Sequence, residues 1–310
     1  MPHFYADQYR RYQVYVRNYD WSKPIYRIAC GPNAFDFTWT DEVMHYAGNK
    51  MNGLSLHYYT VPGPDWGHKG SATRFTVDEY YTTVKKAYKM EELVTRHTEV
   101  MNRHDPEKRV DLIVDEWGTW YDVEEGTNPG FLYQQSTMRD AIVAGLTLNI
   151  FNKHADRVRM ANIAQTVNVL QSVILTDGED MLLTPTYHIF KMFKDHSENT
   201  LLGSFITTDY LEDSAKTPIL TESASIKADG SIVSTVSNAS LDSVEKIACQ
   251  VADFSVSSVE AEIVCGKMDD FNTFESKSVV KTEKFTDFEL TSDGFVASVP
   301  PCSVVKFIIK

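Results

Sequence analysis

Long apolar runs are missing from this 310-residue sequence. A membrane-spanning helix requires roughly 20 consecutive apolar residues, and no stretch approaches that length. The first residues, MPHFYADQYRRYQ, also lack the apolar segment of a signal peptide. The sequence therefore predicts neither a membrane helix nor a signal peptide. A cytoplasmic location follows if Met1 is the first residue of the protein, and export would require a signal upstream of it.

Positive charge is scarce as well. The chain has 30 Lys and Arg residues against 43 Asp and Glu residues, which gives a net charge of −13. Because an acidic surface repels phosphate groups, nucleic acid and anionic membranes are not expected as partners. Cysteine is also rare, and no spacing typical of a metal site or a redox motif is present. The four cysteines, predicted to be reduced structural thiols, are Cys30, Cys249, Cys265 and Cys302.

Apolar and aromatic residues are plentiful by contrast. Hydrophobic residues make up 43% of the chain and aromatic residues 12%. This composition is typical of a folded globular protein rather than a disordered one. At this length the chain has room for two domains. A neutral ligand such as a sugar is compatible with the acidic charge and with the many tyrosines and tryptophans.

Residues 1–197 alternate helical patterns with short apolar runs. The predicted elements are a helix in FYADQYRRYQVYVRNY, a strand in PIYRIACGPN, a helix in TWTDEVMHYAG, a strand in MNGLSLHYYT, a long helix from the capping box Thr76–Glu79 to about Asn102, a strand in VDLIVDEWG, a helix in FLYQQSTMRDAIVAGLTLNIFNKH, a strand in RVRMANIAQTV and a last helix from Pro185. One helix followed by four strand–helix units predicts a parallel sheet covered by helices. Four units are half of a (β/α)8 barrel.

Residues 198–310 follow a different pattern. Short runs rich in Ser, Thr and Val are separated by turn signals, and helical periodicity is absent. The pairs Asp229-Gly230 and Asp293-Gly294 are typical of hairpin turns. This part of the chain is therefore predicted to form a β-sandwich domain after the α/β part.

Three of the four predicted strands of the first part end on polar or aromatic residues. The clearest case is Asp115-Glu116-Trp117. In parallel α/β sheets, functional groups collect at the carboxyl ends of the strands. Because side chains alternate along a strand, Asp115 and Glu116 are not expected to point the same way. A carboxylate beside aromatic rings suits glycosidic chemistry, although an Asp-Glu pair at this position can also simply face solvent.

Three stretches together resemble the α-L-arabinofuranosidases of glycoside hydrolase family 51. They are NGLSLHYYT, VDEWGTWY and the long run FLYQQSTMRDAIVAGLTLNIFNKHADRVRMANIAQTVNVLQSVILT. The resemblance extends over essentially the whole chain. It implies a partial (β/α)8 TIM barrel, strands five to eight, in residues 1–197, and a jelly-roll-like β-sandwich in residues 198–310.

The resemblance also implies roles for single residues. Glu116 in DEWG matches the nucleophile of this retaining family, while Asp115 is expected to hold the loop. Tyr59 resembles the residue that hydrogen-bonds the nucleophile, and His57 belongs to the same segment. Gln165 matches a position that contacts arabinose, and Trp120 is similar to an aromatic residue that shapes the wall of the sugar site. The implied substrates are arabinan or arabinoxylan oligosaccharides, and the two-carboxylate mechanism needs neither a metal nor a cofactor.

One part of the family pattern is missing. The family acid/base lies in an Asn-Glu dipeptide after strand four, and this sequence contains no Asn-Glu dipeptide. The chain is therefore expected to begin after the acid/base. A half barrel has open sheet edges, so homo-oligomerisation or pairing with the missing half is expected. Two alternatives stay open: a catalytically incomplete fragment that binds sugar or serves as a structural half, and another retaining glycosidase such as an endoglucanase or xylosidase.

Overall fold

The computed structural model of the chain describes residues 1–211 and 216–310. Its helices are α1 (Pro2–Tyr12), α2 (Phe37–Ala47), α3 (Val77–His104), α4 (Met138–Lys153) and α5 (Pro185–Phe193). Among the described residues, none of the helices has both the length and the apolar character needed to cross a membrane. The chain divides into two compact units, each made of separate segments. The first contains Met1–Tyr59, Lys89–Trp117 and His154–Ile163, and the second contains Thr60–Tyr88, Gly118–Lys153 and Ala164–Lys310.

A four-stranded sheet organises the first unit. Its strands are β1 (Ile28–Ala29), β2 (Gly53–Thr60), β3 (Asp111–Thr119) and β4 (Val158–Ile163), in the spatial order β1-β2-β3-β4. The pairs β1/β2 and β3/β4 are parallel. β1, β2 and β4 fall in the stretches that the sequence predicts, and β3 extends one residue beyond its predicted stretch, to Thr119. The run Leu112-Ile113-Val114 of β3 is fully buried, as expected for a strand covered on both faces.

The first predicted helix is shorter than its apolar stripe indicates. α1 ends at Tyr12 and a 3-10 turn follows over Gln13–Tyr15, so the helix does not continue to Tyr19. Val14 and Val16 occupy this stretch and are largely exposed. Because β-branched residues have low helix propensity, and these two bury little apolar surface, little stabilises a longer helix here.

In the second unit, local capping residues determine where the helices begin. At α3 the predicted capping box is present: the Thr76 N–H donates to Glu79 Oε2 at 2.7 Å, and the Glu79 N–H donates to Thr76 Oγ1 at 3.3 Å. α5 begins at Pro185, as predicted. α4 begins only at Met138, because Asp140 Oδ2 accepts the Thr137 N–H at 2.8 Å and fixes the start there.

The second part of the chain forms the predicted β-sandwich. A six-stranded sheet has the order β12-β11-β15-β9-β8-β7, and a three-stranded sheet has the order β10-β14-β13. These strands are β7 (Thr200–Leu202), β8 (Leu220–Ile226), β9 (Ile232–Asn238), β10 (Glu245–Gln250), β11 (Val259–Cys265), β12 (Glu283–Phe285), β13 (Phe288–Leu290), β14 (Gly294–Val299) and β15 (Ser303–Ile309); a separate hairpin pairs β5 (Ile174–Asp177) with β6 (Asp180–Leu183). Both sheets contribute to one apolar core, in which the rings of Phe295 and Phe307 lie 4.8 Å apart.

The two predicted hairpin turns are confirmed. β8 and β9 pair antiparallel on either side of Asp229-Gly230, and Gly230 has the positive φ of +85° that this turn requires. β13 and β14 pair antiparallel around Asp293-Gly294. Turn residues and strand alternation depend only on neighbouring residues in the chain. The sequence can therefore predict these hairpins without knowledge of how the rest of the domain folds.

Candidate active site

The ends of β2 and β3 bring together three of the residues predicted from the sequence. His57 and Tyr59 are two positions apart on β2 and therefore share one face of the strand. The Tyr59 hydroxyl donates a hydrogen bond of 2.5 Å to Glu116 Oε1. His57 Nδ1 lies 2.9 Å from Glu116 Oε2. Both carboxylate oxygens of Glu116 thus have a partner from the neighbouring strand.

Asp115 contacts the same imidazole. Its Oδ1 lies 3.1 Å from His57 Nε2, on the far side of the ring from Glu116. The expectation that Asp115 and Glu116 point in different directions is therefore wrong. The reason is a register shift in β3: Val114 pairs with Ala161 and Trp117 pairs with Ile163, so β3 has one more residue than β4 in this interval. Such a bulge breaks strict alternation and re-aims the side chains it contains.

Tyr59 is held as a hydrogen-bond donor. Burial, followed by the hydrogen bond to Glu116 and the negative charge of that carboxylate, raises the pKa of the Tyr59 hydroxyl far above its ordinary value. The hydroxyl therefore keeps its proton throughout the ordinary pH range. A neutral donor facing Glu116 Oε1 orients that carboxylate.

The thiol of Cys30 belongs to the same neighbourhood, although sequence reasoning gave it no role at the site. Partial burial and, next, the negative charge of Asp115 raise the pKa of Cys30. The thiol therefore stays neutral near neutral pH. Over residues 1–211 and 216–310, no group of three or more His, Cys, Asp or Glu side chains could hold a metal ion.

Trp120 and Gln165 lie in the second unit and are described there. The Trp120 ring packs edge-to-face against Trp66 at 5.3 Å, and its backbone N–H donates to the Thr60 carbonyl at 3.0 Å. Gln165 is exposed and lines an open pocket of about 730 Å³. The same pocket contains the aromatic side chains of Phe131, Tyr133 and Phe274. The sugar-contacting roles predicted for Trp120 and Gln165 stay predictions.

Several known arabinofuranosidases are similar to this chain in sequence and in fold. An intracellular exo-α-L-arabinofuranosidase of Bacteroides ovatus is 43% identical over 308 residues, which cover 98% of this chain and 59% of that protein. The crystal structure of a GH51 arabinofuranosidase from Xanthomonas axonopodis pv. citri superposes with a TM-score of 0.96 at 39% identity, over 100% of this chain and 63% of the other. An arabinose complex of the Thermotoga maritima α-L-arabinofuranosidase shares the fold, with a TM-score of 0.82 at 23% identity.

The chain thus spans about three-fifths of the length of the relatives it matches. Within it, residues 115–303 match the family model described as the α-L-arabinofuranosidase C-terminal domain. That match covers more than half of the chain and begins at the carboxylate pair of β3. The chain therefore belongs to the α-L-arabinofuranosidase C-terminal domain family, and its structural relatives include arabinofuranosidases of glycoside hydrolase family 51.

Proposed function

We propose that this chain is the nucleophile-bearing part of a retaining α-L-arabinofuranosidase, with Glu116 as the nucleophile. The observation that carries the proposal is the pair of contacts on Glu116, at 2.5 Å from the Tyr59 hydroxyl and 2.9 Å from His57 Nδ1. Two partners on one carboxylate hold it in a single orientation, as a nucleophile requires. The names and folds of the relatives support arabinofuranosyl units as the substrate.

In this proposal the four-stranded sheet of residues 1–197 corresponds to strands five to eight of a (β/α)8 barrel, and residues 198–310 form the sandwich domain. The consecutive order β1-β2-β3-β4 supports this correspondence, because barrel strands follow one another around the barrel. The carboxyl ends of β2 and β3 then form part of the catalytic face. Oligomerisation, or pairing with the other barrel half, would cover the open edges of the sheet.

The chemistry is a double displacement. A carboxylate oxygen of Glu116 forms a bond to the anomeric carbon while the glycosidic carbon–oxygen bond breaks. The leaving-group oxygen takes the bonding electrons and a proton from an acid. Water then attacks the anomeric carbon of the glycosyl-enzyme, transfers a proton to a base and releases arabinose, which restores the Glu116 carboxylate. Tyr59 stabilises the charge that returns to Glu116 in this second step.

The mechanism needs a second carboxyl group about 5–5.5 Å from the nucleophile. The family pattern locates it in an Asn-Glu dipeptide, which these 310 residues do not contain. We propose that the acid/base comes from the part of the relatives that this chain does not span. Natural arabinan or arabinoxylan oligosaccharides would then be substrates only when that part is present, because their leaving groups need a proton.

The test uses an aryl α-L-arabinofuranoside whose phenol leaves without protonation. Glu116 should displace the phenol and become arabinosylated, and the adduct should accumulate because no base activates water. Intact-mass spectrometry should show one pentosyl unit on the chain, and proteolysis should locate it on Glu116. Azide, which needs no base, should release the adduct as an arabinosyl azide. Natural arabino-oligosaccharides should remain uncut.

Glu116→Gln is the decisive variant, and it should form no adduct and release no phenol. Glu125→Gln is the matched control, because the Glu125 side chain is highly exposed and its Oε2 lies 4.0 Å from Arg74 Nη2; this variant should behave like the unaltered chain. Adduct formation by Glu116→Gln would disprove the nucleophile assignment. Binding of the sugar without any adduct would favour the alternative of a sugar-binding fragment, and rapid cleavage of natural oligosaccharides would show that an acid/base is present in these residues.

A further inference from the structure

The backbone of β3 continues past its pairing with β4. The last residue of β3 that is in register with β4 is Trp117, whereas β3 runs on to Thr119. Just beyond, the Trp120 N–H donates to the carbonyl of Thr60, the last residue of β2, at 3.0 Å. Because backbone groups alternate along an extended chain, those of Thr119 and Tyr121 face the side away from β2. These groups need partners that do not come from β4.

The side chain of Gln134 supplies two of these partners. Its Nε2 donates to the Thr119 carbonyl at 3.1 Å, and its Oε1 accepts from the Tyr121 N–H at 2.8 Å. In a parallel sheet, the backbone of one residue likewise donates to the carbonyl before the residue opposite and accepts from the N–H after it. The amide of Gln134 makes the same two bonds around Trp120. It therefore occupies the position of a residue on a neighbouring parallel strand.

A second buried amide, that of Gln171, completes this pairing. Its Oε1 accepts from the Thr119 N–H at 2.8 Å, and its Nε2 donates to the Asp140 carbonyl at 2.9 Å. The paired residues are all at most 2% exposed: Thr119, Tyr121, Gln134 and Gln171. Because solvent does not reach these groups, water does not readily replace an amide that is removed.

Trp120 is the residue that this pairing encloses. Its backbone is held from one side by Thr60 and from the other, through its two neighbours, by Gln134. Its ring packs edge-to-face against Trp66, with the centroids 5.3 Å apart. The loop that carries Trp66 is fixed in turn, since Lys86 on α3 donates to three consecutive carbonyls of that loop. Both the backbone of Trp120 and the ring beside it are therefore held in place.

From this geometry we infer that Gln134 is a positioning residue, which acts through Trp120. Its amide substitutes for a strand and fixes the backbone on both sides of Trp120, so the indole has one orientation before any sugar binds. Gln134 is buried and does not itself contact a sugar. The effect on the indole follows from these hydrogen bonds alone. Its consequence for arabinofuranosyl substrates rests on the function proposed above and on the predicted role of Trp120 in the wall of the sugar site.

Fluorine-19 NMR of the chain labelled with fluorotryptophan tests the orientation without any substrate. The Trp120 resonance, identified by its loss in Trp120→Phe, should be single in the unaltered chain. Gln134→Met keeps the length of the side chain but removes both hydrogen bonds, so this resonance should shift or split. Gln135→Met is the matched control, because Gln135 is also buried but its Nε2 donates to the Asn272 carbonyl at 3.2 Å. An unmoved Trp120 resonance in Gln134→Met would overturn the inference, as would the same shift in Gln135→Met.

Gln134→Glu provides a second variant, because a proton can restore both hydrogen bonds. A protonated carboxyl can donate to the Thr119 carbonyl and accept from the Tyr121 N–H, whereas an ionised one cannot donate. Carbon-13 NMR of the introduced carboxyl shows when it is protonated. In that state Trp120 should resonate as in the unaltered chain, and a shifted or split resonance would contradict the inference. Circular dichroism identifies a variant that has lost its fold; if Gln134→Met is one, Gln134→Glu decides.

A kinetic comparison adds the catalytic arm. With the aryl arabinofuranoside, Gln134→Met should raise the half-saturating concentration about five- to tenfold, because a misplaced indole weakens sugar binding, while the rate at saturation changes by less than about twofold. A loss of folded protein would instead lower the amplitude. Gln135→Met should change neither constant.

Two kinetic outcomes would refute the role in sugar binding: constants equal to those of the unaltered chain, and a lowered saturating rate at an unchanged half-saturating concentration. If the unaltered chain forms no adduct at all, the proposed function fails. The NMR comparison still decides whether Gln134 orients Trp120.

Discussion

At the scale of single residues, two neighbouring side chains orient the Glu116 carboxylate. Tyr59 donates to Oε1 at 2.5 Å and His57 Nδ1 lies 2.9 Å from Oε2. Hydrogen bonds to a charged group contribute about 1.5–3 kcal/mol each. Loss of either partner therefore leaves the Glu116 carboxylate less firmly oriented.

The first residue-scale prediction concerns Tyr59→Phe. Removing the hydroxyl deletes the neutral donor without changing the ring, so glycosyl-enzyme formation on the aryl substrate should slow by about 10- to 100-fold. Single-turnover release of the phenol measures this rate. Tyr58→Phe is the control, since Tyr58 is the next residue on β2 and its ring packs edge-to-face against Phe35, 6.3 Å away. Equal rates for the two variants would refute the role of Tyr59.

At the scale of secondary-structure elements, α4 lies against the six-stranded sheet inside the second unit. Buried Asn149 on α4 connects the two: its Oδ1 accepts from Ser223 Oγ at 2.8 Å and from Thr235 Oγ1 at 2.7 Å. The contact is close enough that Gly145 has no room for a side chain. A Cβ there would lie 2.6 Å from Ser237 Oγ and 2.8 Å from Val304 Cγ2.

Gly145→Ala is therefore expected to destabilise the fold. Alanine favours a helix over glycine by about 1 kcal/mol, but the overlap with β-branched Val304 and with hydrogen-bonded Ser237 should cost about 1–3 kcal/mol. The free energy of unfolding in urea should fall accordingly. Gly203→Ala is the control, because open space surrounds the Cβ position of Gly203. An unchanged or increased stability of Gly145→Ala would show that α4 moves away from the sheet at little cost.

At the scale of the whole molecule, two buried histidines link stability to pH. Burial, with a smaller effect of Lys191, lowers the pKa of His188 to about 4. Burial is also the largest cause that lowers the pKa of His196 to about 4, and that ring lies between Ser225 Oγ and Thr235 Oγ1. The fold therefore favours the neutral form of both rings.

The sign of the pH effect follows from linkage. Between about pH 6.5 and pH 4 the unfolded chain binds protons on these histidines that the folded chain does not, so stability falls as pH falls through this window. Each histidine should contribute a loss of about 3 kcal/mol, complete below pH 4. Urea unfolding at several pH values measures it. His196→Gln should make the slope shallower, while His68→Gln, at an exposed position, should not change it.

Much of the fold could be predicted from the sequence because its signals are local. Periodicity, capping residues and turn pairs predicted the strands of the four-stranded sheet, the start of α3 at Thr76–Glu79 and the two sandwich hairpins. The candidate site could be predicted in part, since the motifs containing His57, Tyr59 and Glu116 lie at strand ends. The end of α1 and the start of α4 were predicted less well, because exposure and side-chain hydrogen bonds set them rather than periodicity.

The sequence by itself determined which residues carry charge, which segments form strands and helices, and that a carboxylate pair ends β3. Only the tertiary structure decided which side chain the two carboxylates of that pair contact. The bulge that turns Asp115 and Glu116 to the same imidazole arises from the pairing of β3 with β4, whose residues lie more than 40 positions apart in the chain. Strand alternation is a property of one segment, whereas register is a property of two, so the shared contact on His57 exists only once the strands have paired.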